Sequence, residues 1–212
     1  MYRPVLVTPP TIKPVTLTEA KAALDIGYSE KDTLITGLIA AATAYLDGWT
    51  GILGRALCEQ TWRQDYDSFG SWSSTRNVPY GRPCYFGARQ RLPLFPVISI
   101  ASVKYLDTSG VQQTISSGNY TLKNDEEGAY VEFISTFAYP NIYRESASVS
   151  VEYVAGYEDA GDVPVPEAIK QAMLLMIRQW FDNPTPVIVG ATVEKMPFAV
   201  EALLGQFRRN RF

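Results

Sequence analysis

Histidine is absent from the 212-residue chain. That removes the commonest general base, the commonest metal ligand and every Ser–His or Cys–His pair. Cysteine is scarce: Cys58 and Cys84 are too few for a tetrahedral zinc cage or a disulfide scaffold. No signal-peptide pattern opens the chain, so both are expected to be free thiols in a reducing compartment. Long apolar runs are also missing. The longest charge-free stretch of apolar character, Thr33–Leu46, is interrupted by Thr36, Gly37 and Thr43. It falls short of the roughly 20 mostly apolar residues a spanning helix needs. No Walker A, GxGxxG, HExxH or EF-hand pattern occurs. These absences argue against most enzyme classes, and no cofactor is expected.

What is present suffices for a core. Apolar residues make up 46% of the chain, which excludes wholesale disorder. Pro4, Pro9, Pro10 and Pro14 make the first dozen residues an extended, non-helical arm. Thr16 and Glu19 have capping-box spacing, which predicts a helix over Leu17–Leu24 stopping near Gly27. A second helix is expected from Ser29 to about Thr50, with Glu30 and Asp32 in its first turn and Gly51 ending it.

This second helix carries two apolar stripes side by side. One is Leu34, Leu38, Ala41, Tyr45 and Trp49; the other is Ile35, Ile39, Ala42 and Leu46. Gly37, Ala40, Ala44 and Gly48 add a line of small residues that permits close approach. A helix without charge on any face is not an ordinary surface helix. Two readings stand: a central helix wrapped by its own domain, or one buried against neighbouring copies. The second makes Leu34, Ile35, Leu38, Ala40, Ala41, Ala44 and Tyr45 candidate subunit-interface residues.

The period then changes to two. Cys58, Gln60, Trp62, Gln64 and Tyr66 alternate with Glu59, Thr61, Arg63 and Asp65 as a two-sided strand. Ser68–Arg91 lacks any period and is expected to be a long loop. Strands follow at about Ile98–Leu106, Val111–Ile115, Tyr120–Lys123, Ala129–Ile134 and Ser148–Val154. Turns are expected at Thr108–Gly110, Ser117–Gly118 and Glu126–Gly128. Helix returns after Pro166, with Ile169, Met173, Met176, Ile177 and Trp180 on one face, and again over Phe198–Phe207. The expected fold class is α+β. A small helical bundle forms from residues 1–54 and 158–212, with an antiparallel β domain, residues 55–157, inserted between them.

Carboxylate pairs are the remaining catalytic chemistry: Asp65 with Asp67, Glu126 with Glu127, and Glu158–Asp159 with Asp162. Solvated turns account for all three more simply than acid–base or metal work. Charge is uneven. Arg55–Arg91 holds six arginines against three acids, whereas Lys104–Glu167 holds three bases against eleven acids. Trp72, Arg76, Tyr80, Arg82, Tyr85 and Arg89 form an arginine–aromatic mixture suited to a partner protein. The same mixture can stack on nucleic acid, but a net charge of −3 argues against a dedicated nucleic-acid binder. Phe207, Arg208, Arg209, Arg211 and Phe212 give a cationic, aromatic C-terminal tip with the residue types of interface hot spots.

The order of these motifs resembles a known family. Pro14–Lys21 opens a short helix, and an alanine-rich helix ends in Tyr45–Gly51. Ala56-Leu57 with Gln60–Trp62, the Leu92-Pro93 to Asp107 strand, and Ala155-Gly156-Tyr157 follow. Last come Pro164–Ala168, Trp180 with Asn183, and Val200–Leu204 before the arginine-rich end. Over essentially the whole chain this resembles the head–tail connector (adaptor) proteins of long-tailed bacteriophages and phage-like gene transfer agents. The resemblance implies a non-enzymatic ring, commonly dodecameric, assembled in the host bacterial cytoplasm. In the virion it would sit at the head–tail interface, with the portal protein above and a stopper or other tail-side protein below. DNA would pass through its channel without sequence-specific binding. The Thr33–Leu46 helix would pack between subunits and the C-terminal tip would insert into the portal. Two other readings remain: a carbohydrate-binding or hydrolytic β domain of a tail or base-plate protein, using Trp62, Trp72 and paired carboxylates, and a nucleic-acid-binding module using the arginine-rich loop.

Overall fold

The computed structural model describes residues 2–69, 89–143, 145–158, 164–183 and 198–208. The fold is mixed α+β, and the chain divides into two compact units. One comprises residues 1–9 and 60–156; the other comprises residues 10–59 and 157–212.

The helical unit holds α1 (Leu17–Leu24), α2 (Asp32–Leu46), α3 (Glu167–Asp182) and α4 (Phe198–Gly205). The expected capping box starts α1: Thr16 Oγ1 accepts the Glu19 N–H at 3.2 Å, and Glu19 Oε2 accepts the Thr16 N–H at 2.7 Å. These bonds hold the Glu19 carboxyl below its usual range. The left-handed Asp25 (φ 59°) ends α1, two residues before the expected glycine.

Helix α2 is shorter than the sequence suggests at both ends. Ser29–Lys31 form a turn, and the Asp32 carboxylate is taken by Lys21 Nζ at 2.6 Å. At the other end Asp47 turns extended, and its Oδ1 accepts the Leu57 N–H at 2.7 Å. The chain then doubles back, with the Gly48 N–H donating to Arg55 O at 2.6 Å. Gly51 is needed for this return and not as a helix cap: a Cβ there would lie 2.3 Å from the carbonyl oxygens of Leu46 and Asp47.

Ile35, Ile39, Ala42 and Leu46 of α2 are buried with Ile169, Ala172, Met173, Met176 and Ile177 of α3, and with Val200 and Leu204 of α4. Trp180 is partly buried against the same core. Fully burying one such aliphatic side chain contributes about 1.5–3 kcal/mol. The N- and C-terminal helices therefore share one core.

The β unit holds β1 (Val5–Thr8), β2 (Gln60–Tyr66), β3 (Arg89–Arg91), β4 (Val97–Leu106), β5 (Gln112–Ile115), β6 (Tyr120–Asp125), β7 (Gly128–Phe133) and β8 (Val149–Ala155). Five strands form an antiparallel sheet in the order β1-β2-β8-β4-β5, and three form a second in the order β3-β7-β6. β2, β4, β5, β6, β7 and β8 match expectation. β1 and β3 are additions to it, one in the arm and one at the end of the expected loop. Phe69 links the sheets, its ring 5.8 Å from Tyr105 of β4 and 5.6 Å from Phe133 of β7.

The β6–β7 turn falls where Glu126–Gly128 indicated. Asp125 Oδ1 accepts the N–H groups of Glu127 and Gly128 at 3.0 and 3.1 Å. Gly128 (φ +124°) packs so closely on Phe95 that a Cβ would lie 1.8 Å from its Cζ.

Candidate functional site

Helix α2 presents the surface least explained by its own unit. Of its two apolar stripes, the core takes Ile35, Ile39, Ala42 and Leu46. The other remains outside: Leu34 is 53% exposed and Tyr45 40%, and Ala41 is also exposed, while Leu38 is half-buried. Ala40 and Ala44 are exposed beside them, and a Cβ on Gly37 would meet no atom within 4 Å. The exposed surface thus combines two large apolar side chains with small residues, without a charge from Thr33 to Leu46. A groove lined by Ile12, Lys13, Val15, Leu17, Thr36 and Ile39 runs alongside.

Six of the seven candidate interface residues lie outside the fully buried core. Ile35 differs: it is 0% exposed and faces the interior of its own unit. Periodicity identified both stripes but could not rank them, because both are apolar.

The C-terminal end is anchored on the helical core as far as Phe207. Val200 and Leu204 are buried, Phe207 packs on the core, and Arg208 is exposed. Arg55 holds this end, its Nε donating to Phe207 O at 2.7 Å and its Nη1 to Tyr157 Oη at 3.3 Å. Sequence reasoning missed Arg55, because no local pattern joins residues that are 152 positions apart. Arg209, Arg211 and Phe212 lie outside the described residues.

Trp72, Arg76, Tyr80, Arg82 and Tyr85 also lie outside the described residues. Arg89 belongs to β3 instead of a loop, paired opposite Glu132 of β7. Its guanidinium lies 3.4 Å from Asp125 and 4.7 Å from the centre of the Tyr130 ring. Gln90 between the arginines is buried and donates to Ser68 O at 3.1 Å, which fastens this strand. Arg91 pairs with both oxygens of Asp125 at 2.8 Å, and these bonds lower the Asp125 pKa to about 2.

Asp65, Asp67 and Glu127 of the carboxylate pairs are likewise engaged in structural bonds. Asp65 is 3.1 Å from Arg63, and Glu127 is 2.7 Å from Arg91. Asp67 accepts the Tyr2 hydroxyl at 2.5 Å and the Ala147 N–H at 3.1 Å, which lowers its pKa. Asp159 and Asp162 fall outside the described residues. Among the described residues no group of three acidic or thiol side chains could hold a metal. Trp62 is only 6% exposed on β2 and cannot offer a ring face to a sugar.

No family model and no curated protein matches the chain. Solved structures do. A chain in the virion of a native gene transfer agent particle is 20% identical, with a TM-score of 0.70 over 99% of this chain and 96% of that one. A chain in the neck of an empty particle, computed with C6 symmetry, is 21% identical, with a TM-score of 0.71 over 100% and 97%. A third, in the neck of a native particle computed with C12 symmetry, is 19% identical, with a TM-score of 0.60 over 98% and 97%. The chain therefore has the fold of these gene transfer agent chains over nearly its whole length.

Proposed function

We propose that this protein is a structural component of a virion neck, an adaptor ring between the capsid portal and the tail. The exposed, uncharged α2 face carries the reading. A single copy leaves Leu34, Ala41 and Tyr45 in water, and a neighbouring subunit in a ring would cover them. The whole-chain likeness to neck chains of particles described with C6 and C12 symmetry supports a ring of six-fold or twelve-fold order.

The reading needs no catalytic centre, cofactor or metal. DNA passes through the ring, and the excess of acids in Lys104–Glu167 suits a channel that must not grip phosphate. The nucleic-acid alternative loses Arg89 and Arg91 of its arginine-rich stretch, because both are engaged with Asp125 within their own unit. The sugar-binding alternative is weakened by the burial of Trp62.

The tip Phe207, Arg208, Arg209, Arg211 and Phe212 is the portal-docking element in this reading. Arginine can pair bidentately with carboxylates, and repetition around a ring lets weak contacts add. A stopper or other tail-side protein would meet the opposite end. Capsid heads bearing portal, mixed with a chain ending at Arg208, test this. The shortened protein should fold and assemble but fail to attach. Normal attachment would remove Arg209, Arg211 and Phe212 from the docking role.

A further inference from the structure

We propose that the five-stranded sheet continues from subunit to subunit, the free edge of β1 in one copy pairing in parallel with the free edge of β5 in the next. The inference rests on the ring reading and specifies a second interface within it.

β1 is the observation that demands an explanation. Val5, Leu6 and Val7 are 44, 42 and 48% exposed, and Thr8 is exposed as well. A strand at a sheet edge ordinarily buries one face, because successive side chains alternate. Here three consecutive large aliphatic residues are left in water on both faces. Beyond β1 no further strand pairs among the described residues, and the same holds beyond β5 at the opposite edge. Neither strand carries a charge, the usual device against edge-to-edge pairing. Val111, one residue before β5, is 55% exposed.

Topology selects the partner. Every pairing in this sheet is antiparallel and the strand number is odd, so β1 and β5 run in the same direction. A ring rotation that sets successive sheets side by side keeps strand direction, and the new pair is parallel. This is a head-to-tail contact, which closes into a ring when the rotation closes. Pairing of β1 with β1 across a two-fold axis would be antiparallel and would stop at a dimer.

Charge agrees with the parallel arrangement. Arg3 is exposed two residues before β1. At the matching end of β5, Asp107 accepts Gln113 Nε2 at 2.9 Å and the N–H groups of Ser109 and Val111 at 2.9 and 3.0 Å. These bonds, that from Gln113 first, hold its carboxyl below the usual carboxylate range. Parallel pairing brings the two starting ends together, with Arg3 of one copy beside Asp107 of the next. Antiparallel pairing would separate them.

The test uses the full chain carrying Cys84→Ser, with buried Cys58 left in place. Leu6→Cys and Thr114→Cys are made singly and together, then treated with a short thiol-to-thiol cross-linker at ring-forming concentration. Neither single variant alone should cross-link, their equal mixture should give covalent dimers, and the double variant should give a ladder of multimers. Dimers from Leu6→Cys alone would overturn the inference in favour of two-fold pairing. A ring seen by mass without a ladder overturns the edge contact and leaves the ring reading intact. A chain that gives neither ring nor ladder overturns both.

Discussion

Arg55 Nε donates to the backbone oxygen of Phe207 at 2.7 Å, tying the turn after α2 to the end of α4. The same guanidinium reaches Tyr157, so one side chain joins three stretches of the helical unit. Replacing Arg55 with Ala should cost about 1 kcal/mol, the net worth of such a bond with its packing. Thermal unfolding should show the loss, and hydrogen exchange should rise first at Phe207 and Arg208. Unchanged exchange there would show that Phe207 is held by its apolar contacts alone.

The two faces of α2 should respond differently to the same kind of change. Ala40→Asp or Ala44→Asp places a charge on the exposed face, so the monomer should fold normally while assembly is lost. Ile35→Ala acts on the core face and should cost about 2–5 kcal/mol of stability. Circular dichroism and mass measurement separate the effects. Normal assembly by the aspartate variants would remove α2 from the interface.

Acid should loosen the β unit at the Arg91–Asp125 pair. The Asp125 carboxyl is pulled down to about 2 in the folded chain from an ordinary value of 3.8, chiefly by its bonds to Arg91. A depressed folded value means that the contribution is fully present above the ordinary value. It is lost as pH falls through the folded one. Stability should therefore drop between about pH 4 and pH 2, and Asp125→Asn should flatten that drop. An identical acid profile for the variant would contradict this assignment.

DNA affinity should be weak, with a shallow salt dependence, because few phosphates are contacted. At physiological salt, binding should be no tighter than about 1 µM, the upper end of non-specific affinities. Fluorescence anisotropy with duplex DNA measures this directly. Tighter binding would revive the nucleic-acid reading.

Elements marked by local chemistry were legible in the sequence. Thr16 and Glu19 announced α1, Pro166 announced α3, and the alternation around Trp62 announced β2. The missing strands depend on distant partners. β1 is four residues between prolines and becomes a strand only by pairing with Arg63, Trp62 and Thr61. β3 reads Arg-Gln-Arg, and only the burial of Gln90 and pairing with β7 make it a strand. The candidate surface was half legible: uncharged apolar stripes flagged α2, but the choice of Ile35 over Leu34 for the core is made by α3 and α4. Arg55 was invisible, because its partners are Tyr157 and Phe207.

A ring of the 23.6 kDa chain docked on a portal has a mass far above that of one copy. Native mass measurement of the purified protein, alone and mixed with portal, tests this most directly. One closed species of six or twelve copies is expected, formed alone or on the portal. A protein that stays monomeric in both samples would contradict it.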